Sequence, residues 1–218
     1  MLLFTDGFSK TMNFNNVFRW HYPFLLLLLL FTRVASAESL LVLGDSLSAG
    51  YRMSASQAWP ALLDKKWQQQ PEVINGSISG DTAAQGLARL PALLQQHHPR
   101  WVLIELGAND GLRGFPPQNI EQDLSKIIST IQAADAKPLL MQIRLPTNYG
   151  RRYNEAFSNI YTRLAQQYNI PLVPFFMEQV YLKPRWMQQD GLHPAPDAQA
   201  FITDLMDQQL APLVKHEQ

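Results

Sequence analysis

The segment LVLGDSLSAG, residues 41–50, places a serine directly after a short apolar run. Ser46 follows Gly44 and Asp45, and small residues come after it, so the chain turns as soon as the apolar run ends. Such a turn can present a nucleophile, but a polar turn that simply ends a strand has the same composition. The choice depends on whether the chain also supplies a base, an orienting acid and an oxyanion site.

A base for this serine is best sought among the histidines, the usual proton acceptors near neutral pH. Of the five histidines, only His193 stands in a Gly/Pro loop with an aspartate three residues before it, in DGLHP. Elimination therefore favours His193 as the base and Asp190 as the acid that orients it. Taken alone, this loop is more often a structural aspartate turn beside a surface histidine. The other histidines are His21, His97, His98 and His216.

Three groups could donate hydrogen bonds to an oxyanion. They are the backbone N–H groups of Ser46 and Gly80 and the side-chain amide of Asn109. Gly80 could equally be a turn residue, with Asp81 or Thr82 capping the following helix, and Asn109 could be a turn former. We interpret Asp45 and Asp110 as turn-shaping hydrogen-bond acceptors.

The elements that would position these residues are short apolar runs, each followed by a small polar loop. None of the runs alternates as a half-exposed strand would, so we expect buried parallel strands. Ligands bind at the carboxyl ends of the strands in such sheets, which is where the polar loops lie. The runs are Ser39–Leu43, Glu72–Asn75, Trp101–Leu106, Pro138–Ile143 and Pro171–Val173.

Between the runs, apolar residues recur with the period of an amphipathic helix. Strands that alternate with helices predict an α/β fold, a single domain with a parallel sheet covered on both faces. The predicted apolar faces are Ile120, Leu124, Ile127, Ile128 and Ile131; Phe157, Ile160, Tyr161 and Leu164; and Ala198, Phe201, Ile202, Leu205 and Met206.

Composition excludes several classes of function. The 218 residues are 46% apolar, as in a globular protein, and 18 basic residues balance 18 acidic residues. This balance does not favour a nucleic-acid-binding protein. Because cysteine is absent, the chain has no disulfide, no cysteine nucleophile and no thiolate metal site.

Residues 1–37 have the pattern of a cleaved signal peptide. Basic residues precede the apolar run Phe24–Phe31, which is shorter than the roughly 20 residues that span a bilayer, and Ala35-Ser36-Ala37 follows. The alternative is a buried core helix, and either Met1 or Met12 could be the start. We expect cleavage after Ala37 and a soluble exported domain of residues 38–218, periplasmic in a Gram-negative bacterium.

Four ordered blocks resemble the SGNH (GDSL) hydrolase superfamily: GDSLS (44–48), SGDT (79–82), GAND (107–110) and DGLHP (190–194). The resemblance implies a flavodoxin-like α/β/α sandwich with five parallel strands. It also implies Ser46 as nucleophile, Asp190 and His193 as the rest of a triad, and an oxyanion hole formed by Ser46, Gly80 and Asn109.

What this resemblance implies is a serine esterase that acts on acyl thioesters and carboxylic esters through an acyl-enzyme. Fatty acyl-CoA, lysophospholipids and aryl esters are the expected substrates, with weak peptidase activity, no cofactor and no metal. We expect a monomer. In the family, the loop that corresponds to Leu145–Arg151 moves when the acyl chain binds; otherwise it is an ordinary connection. The expected acyl-contacting residues are Leu145, Pro146, Asn148 and Tyr149, and the apolar residues Leu112, Phe115 and Leu192 lie nearby in the predicted loops.

Two other functions stay open at this point. A metal-dependent phosphoesterase would use the aspartates and the single loop histidine, although two-metal sites usually recruit several histidines. A non-catalytic lipid-binding protein would retain the fold without turnover. The residues for the metal site would be Asp45, Asp81, Asp110, Asp190 and His193.

Overall fold

The computed structural model describes residues 38–215, and these contain a five-stranded parallel sheet. The predicted signal peptide and His216 lie outside the described residues. The sheet order is β2-β1-β3-β4-β5, the doubly wound order of flavodoxin-like folds, which confirms the predicted fold class. The strands are β1 (Ser39–Gly44), β2 (Glu72–Asn75), β3 (Trp101–Glu105), β4 (Lys137–Met141) and β5 (Leu172–Val173).

Strands β1 and β3 are buried along their length and β4 is buried after its first residue, whereas the two edge strands are only partly buried. Leu41 of β1 lies between Ile74 of β2 and Val102 of β3, and every residue of β1 and β3 is buried. The prediction that all five strands are buried was wrong for the edges, because β2 and β5 each have one neighbour in the sheet. Glu72 and Leu172 are exposed there.

The helices form two groups, one on each face of the sheet. Three helices on one face pack side by side, α3 on α5 and α5 on α6, while α2 packs on α8 on the other face. The helices are α1 (Ser46–Ala49), α2 (Trp59–Trp67), α3 (Ala83–His97), α4 (Ala108–Leu112), α5 (Pro117–Ala133), α6 (Arg151–Tyr168), α7 (Met177–Val180) and α8 (Gln199–Val214).

The predicted apolar faces of α5 and α6 form much of the core. All nine of their predicted apolar residues are buried. The third face is confirmed in part: Ala198 precedes α8 in a single turn of 3₁₀ helix, and Phe201 is only half-buried. In the described part of the chain, no helix is long and apolar enough to cross a membrane.

The start of α3 shows how local sequence positions a loop. Thr82 is its N-cap: the Gln85 N–H donates to Thr82 Oγ1 at 3.3 Å, and the Thr82 N–H donates to Gln85 Oε1 at 3.0 Å. This capping box satisfies helix donors that would otherwise lack a partner. Thr82, rather than Asp81, therefore caps the helix, and residues 79–81 remain outside it at the carboxyl edge of the sheet.

Candidate active site

Ser46 is the first residue of α1, at the carboxyl end of the inner strand β1. The Asp45 carboxylate caps this short helix, because its Oδ1 accepts a hydrogen bond from the Leu47 N–H at 3.0 Å. Gly50 caps the carboxyl end of the helix, and its φ of 80° lies in the left-handed region that favours glycine. The serine side chain is half-buried and is held on a turn fixed at both ends.

The loop DGLHP brings its aspartate and histidine to the serine. His193 Nε2 lies 2.9 Å from Ser46 Oγ, and His193 Nδ1 lies 2.8 Å from Asp190 Oδ2. Because a carboxylate can only accept, Nδ1 carries the proton, and Nε2 accepts from the serine hydroxyl. This geometry can transfer the serine proton to the imidazole.

The charge on Asp190 is stabilised within its own loop. Burial alone would raise its pKa, but hydrogen bonds from the backbone N–H groups of His193 and Leu192 and from the His193 ring lower the pKa to about 2. Both backbone bonds are 3.0 Å long and end on Asp190 Oδ1, which leaves Oδ2 to the imidazole. The carboxylate is therefore ionised throughout the neutral pH range.

The loop of residues 187–194 is closed on itself and bonded to the segment that follows Ser46. Met187 and Pro194 form an antiparallel bridge, and the Gln188 N–H donates to the His193 carbonyl at 2.8 Å. The Gln188 side chain donates to the carbonyls of Tyr51 and Pro194. The histidine backbone is thus fixed relative to the segment that follows the serine.

Tyr51 is a site residue that sequence reasoning missed. Its ring stacks on the His193 imidazole, with a centroid distance of 4.1 Å and an interplanar angle of 29°. A stacked ring restricts rotation of the imidazole away from Ser46. Nothing in the sequence pattern links residues 51 and 193, so only the tertiary structure reveals this contact.

Asn109 lies in α4, after β3, and lines one cavity with Ser46, but both of its amide hydrogens already have acceptors. Its Nδ2 donates to Asp45 Oδ2 at 3.0 Å and to the Asp81 carbonyl at 3.0 Å. The first bond ties Asn109 to the loop of the serine, and the second ties it to the loop of Gly80. To act as an oxyanion donor, the amide has to share or release one of these bonds.

Gly80 occupies a tight turn before α3. Its φ of +87° is disfavoured for other residues, and its carbonyl accepts a hydrogen bond from Arg113 Nη2 at 3.0 Å. Gly80 is not part of the cavity wall described below. The positive φ favours glycine at this position for the turn itself, and the Gly80 N–H is the group that could also donate to an oxyanion.

One guanidinium joins three segments around this site. Arg89 of α3 donates through Nε to Asp81 Oδ2 at 2.7 Å, through Nη2 to the Gly44 carbonyl at 3.2 Å, and through Nη1 to the Gly76 carbonyl. These acceptors lie at the carboxyl ends of β1 and β2 and in the loop of Gly80. Arg89 therefore fixes the relative positions of the loops that carry Ser46 and Gly80.

Beneath the serine turn lies a buried glutamate that sequence reasoning also missed. Glu105 Oε2 accepts from Ser48 Oγ at 2.7 Å and from the Asp45 N–H at 3.2 Å, whereas Oε1 has no partner among the described residues. Burial, together with the negative charge of Asp45, raises the pKa of Glu105 well above its ordinary value. An acidic residue inside the apolar run WVLIEL was the available signal.

Burial also raises the pKa of Asp45, to about 7. Hydrogen bonds from Leu47 and Asn109 oppose this shift but do not cancel it. Asp110 differs from the expected local turn acceptor, because its Oδ2 accepts from the Ala83 N–H at the first residue of α3. Burial raises the pKa of Asp110 as well.

A cavity of about 140 Å³ opens beside Ser46 and His193. Leu145 and Pro146 lie in its wall as predicted, together with Leu112 and Leu192. Phe115, Asn148 and Tyr149 lie outside the wall; Tyr149 donates from its hydroxyl to the Leu112 carbonyl at 2.9 Å. The remaining wall residues are Asp45, Leu47, Ala108, Asn109, Arg144, Phe175 and Tyr181.

The carboxylates needed for a metal-dependent phosphoesterase are engaged elsewhere. Asp45 accepts from Leu47 and Asn109, and Asp81 pairs with Arg89. Within residues 38–215, no group of three or more His, Cys, Asp or Glu side chains is arranged to hold a metal ion. The structure therefore does not support this alternative.

Comparison with known proteins agrees with the geometry. The chain matches the GDSL-like Lipase/Acylhydrolase family over residues 42–201. It is 70% identical over 206 residues to thioesterase 1/protease 1/lysophospholipase L1 of Escherichia coli K12, covering 94% of this chain and 99% of that protein. It is 56% identical over 184 residues to an arylesterase of Vibrio mimicus, covering 83% and 90%.

A solved structure gives the same result for the fold. The psychrotrophic esterase EstA of Pseudoalteromonas sp., in a structure inhibited by monoethylphosphonate, superimposes with a TM-score of 0.78 at 41% identity. The match covers 82% of this chain and all of that one. The resemblance inferred from four short blocks is thereby confirmed, and the chain belongs to the GDSL-like lipase/acylhydrolase family.

Proposed function

We propose that this hydrolase is a serine esterase that cleaves acyl thioesters and carboxylic esters through an acyl-enzyme at Ser46. The observation that supports this proposal most directly is the continuous chain of hydrogen bonds from Ser46 Oγ to His193 and from His193 to Asp190, at 2.9 and 2.8 Å. The arrangement is that of a nucleophile, a general base and an acid that orients the base.

In the first half of the reaction, His193 Nε2 takes the proton of Ser46 as Oγ attacks the acyl carbonyl carbon. The ionised Asp190 holds the Nδ1 proton and stabilises the imidazolium that forms. Collapse of the tetrahedral intermediate breaks the bond to the thiol or alcohol, which leaves with the proton from His193. Water, deprotonated by the same imidazole, then attacks the acyl-enzyme and releases the carboxylic acid.

The oxyanion of each intermediate is bound by the Ser46 N–H, the Gly80 N–H and the Asn109 amide. For Asn109 this requires an amide hydrogen to be shared between the oxyanion and its present acceptor, Asp45 Oδ2 or the Asp81 carbonyl. A donor fixed in this way needs little rearrangement when charge develops. Loss of one such donor typically costs about 2.7–4 kcal/mol of transition-state stabilisation.

The acyl chain occupies the apolar cavity beside the serine. Leu145 and Pro146 contribute one side of this wall, and Phe175 and Tyr181 contribute from the segment after β5. The relatives are named as a thioesterase and lysophospholipase and as an arylesterase, which favours thioesters, lysophospholipids and aryl esters as substrates. Amides have poorer leaving groups than these esters, so peptidase activity is weak. The roles of Asn148 and Tyr149 in substrate binding stay predictions.

The protein acts outside the cytoplasm. We infer a signal peptide at residues 1–37, cleaved after Ala37, from the basic residues, the apolar run Phe24–Phe31 and the small residues at 35–37. The mature domain of residues 38–218 is then a periplasmic monomer.

Hydrolysis by purified residues 38–218 tests the proposed function. Palmitoyl-CoA, palmitoyl lysophosphatidylcholine and a short aryl ester are compared, each with and without chelator. We expect chelator-resistant fatty-acid release that falls by about 10⁴ or more in Ser46→Ala. Ser56→Ala, an exposed serine in the same segment, is the matched control and keeps full activity. Undiminished turnover in Ser46→Ala would show that the serine is only part of a turn.

A further inference from the structure

Exposed large apolar side chains are concentrated at the active-site edge of the sheet. Within residues 38–215 there are six of them, and all but Leu172 lie in loops that follow the carboxyl ends of strands. Leu182 is the most prominent, with 77% of its surface exposed, and Ile78 is 50% exposed. We name five of them the apolar rim: Ile78, Phe115, Tyr181, Leu182 and Leu192.

The acyl-chain cavity accounts for only part of this rim. Tyr181 and Leu192 lie in the cavity wall, whereas Ile78, Phe115 and Leu182 do not. A side chain outside the cavity gains nothing from binding one acyl chain inside it. A concentration of exposed apolar side chains flanked by polar residues marks an interaction site.

The loops of the rim are connected to the loops that form the cavity of Ser46. Tyr181 and Leu192 line one cavity with Ser46. Arg113 Nη2 donates to the Gly80 carbonyl, which connects the loop of Phe115 to that of Ile78. The Ile78 N–H donates to the Gly44 carbonyl at 3.1 Å, two residues before the serine. Two rim residues therefore line the cavity of Ser46, and the loops of Ile78 and Phe115 are bonded to the loops beside it.

The same loops carry a surplus of basic side chains. Five exposed basic residues stand against three exposed acids there, Glu178, Asp190 and Asp197, and Glu178 is bonded to Arg144 at 2.5 Å. The chain as a whole has balanced charge, so this surplus is local. The exposed basic residues in these loops are Arg52, Arg113, Arg144, Lys183 and Arg185.

We propose that the apolar rim docks the protein peripherally on an anionic phospholipid surface, with the cavity mouth facing the lipid. Apolar side chains flanked by lysine and arginine are the combination that binds at the headgroup boundary of such membranes. Leu182, Lys183 and Arg185 have this pattern within four consecutive residues. The inference rests on the proposed function, because docking delivers membrane-borne acyl esters to Ser46.

The Ser46→Ala protein is used for binding, so that turnover cannot alter the vesicles. Cosedimentation is measured with vesicles of phosphatidylethanolamine and phosphatidylglycerol, and with vesicles of phosphatidylcholine alone. We expect binding to the anionic vesicles that weakens as salt is raised, because exposed charges are screened. Equal binding to both vesicles, or none to either, overturns the proposal.

Matched substitutions then locate the surface. Leu182→Ser and the double change Lys183→Glu with Arg185→Glu should each reduce partition to anionic vesicles. Removing one basic residue near such a surface costs about fivefold in partition, so the double reversal should cost at least about 25-fold. Leu172→Ser and Lys126→Glu, which are exposed residues away from the rim, are the controls and should bind as the parent does. Equal losses in the controls would contradict the assignment.

Activity separates failure of docking from failure of the proposed function. In the Ser46-containing protein, Leu182→Ser should hydrolyse a water-soluble aryl ester at the parent rate, which also shows that it folds. Its rate on lysophospholipid embedded in anionic vesicles should fall in proportion to binding. If the parent sediments as a dimer that Leu182→Ser dissociates, and neither binds vesicles, the rim is instead a contact between two copies and the proposal is wrong.

Discussion

Glu105 offers the sharpest test of how the serine turn is held. Its Oε2 is the acceptor for two buried donors, the Asp45 N–H and the Ser48 hydroxyl. Glu105→Leu leaves both without this acceptor, at about 1–3 kcal/mol each. Removing the unpartnered Oε1 returns about 1–2 kcal/mol, so the net loss in unfolding free energy lies between about 0 and 5 kcal/mol, with a central value of about 2.5 kcal/mol. Glu105→Gln keeps an acceptor oxygen, and its loss at neutral pH should be about 1 kcal/mol or less.

Urea unfolding of the three proteins at several pH values measures these differences. Burial raises the pKa of Glu105, so the native state holds a proton that the unfolded state releases. The parent therefore loses stability as pH rises from the unfolded pKa toward the raised native pKa, and Glu105→Gln lacks this loss. The free energy of unfolding of Glu105→Gln should therefore increase relative to that of the parent as pH rises. Equal losses in both variants, or a difference independent of pH, would refute the view of Glu105 as a neutral acceptor.

Four further changes test other parts of the site. Asp190→Asn should lower kcat by about 10⁴ while the circular dichroism spectrum is retained, because the amide favours the wrong imidazole tautomer; a loss under tenfold would contradict that role. The parent should lose stability as pH rises from the unfolded pKa of Asp45, 3.8, to its native pKa of about 7, and Asp45→Asn should lack this loss. An unchanged pH slope in urea unfolding would argue against burial of an acid there. Gly107→Ala should destabilise the fold in thermal unfolding, since φ is +109° and the added methyl group would meet Tyr161 Oη; an unchanged Tm would mean that the loop relaxes freely. Thr82→Ala should lower the free energy of unfolding by about 0.5–2 kcal/mol in urea, because the cap of α3 is lost. Thr82→Ser can still cap the helix and should recover most of this loss.

The strands could be predicted because buried apolar runs between polar loops have few alternative structures. β2 has the predicted ends, and β1, β3, β4 and β5 differ from the predicted ends by one or two residues. Exposure of the edge strands was not predictable from the runs themselves. It depends on the order of strands in the sheet, which composition does not encode.

The residues of the site fall into two classes in this respect. Four of them belong to short polar segments of the sequence, and this local pattern identifies them as candidates before any fold is known. They are Ser46, Asn109, Asp190 and His193. Tyr51 and Glu105 act across the fold, through contacts whose partners are 142 and 57 residues away in the chain. Their positions follow from packing, so no local pattern could identify their partners, although an acid inside an apolar strand did mark Glu105.

The helix α4 shows a further limit. Its five residues, Ala108–Leu112, lie where the sequence indicates a polar loop, and it begins after Gly107 in a left-handed conformation. Propensity over so few residues is weak, and tertiary contacts decide. Here Asp110 bonds to the first N–H of α3, so the helix is stabilised by a neighbouring element.

The loop of residues 187–194 has a consequence for how the enzyme could be switched off. Its internal bonds hold Asp190 and His193 together, whereas three contacts join it to the segment of Ser46: the bond from Ser46 Oγ to Nε2, the bond from the Gln188 side chain to the Tyr51 carbonyl, and the Tyr51 ring stacked on His193. The dyad is therefore a module that can part from the serine without coming apart. A displacement of this loop that broke these three contacts would leave an intact acid–base pair without a hydroxyl to deprotonate, and activity would return when the loop docked again.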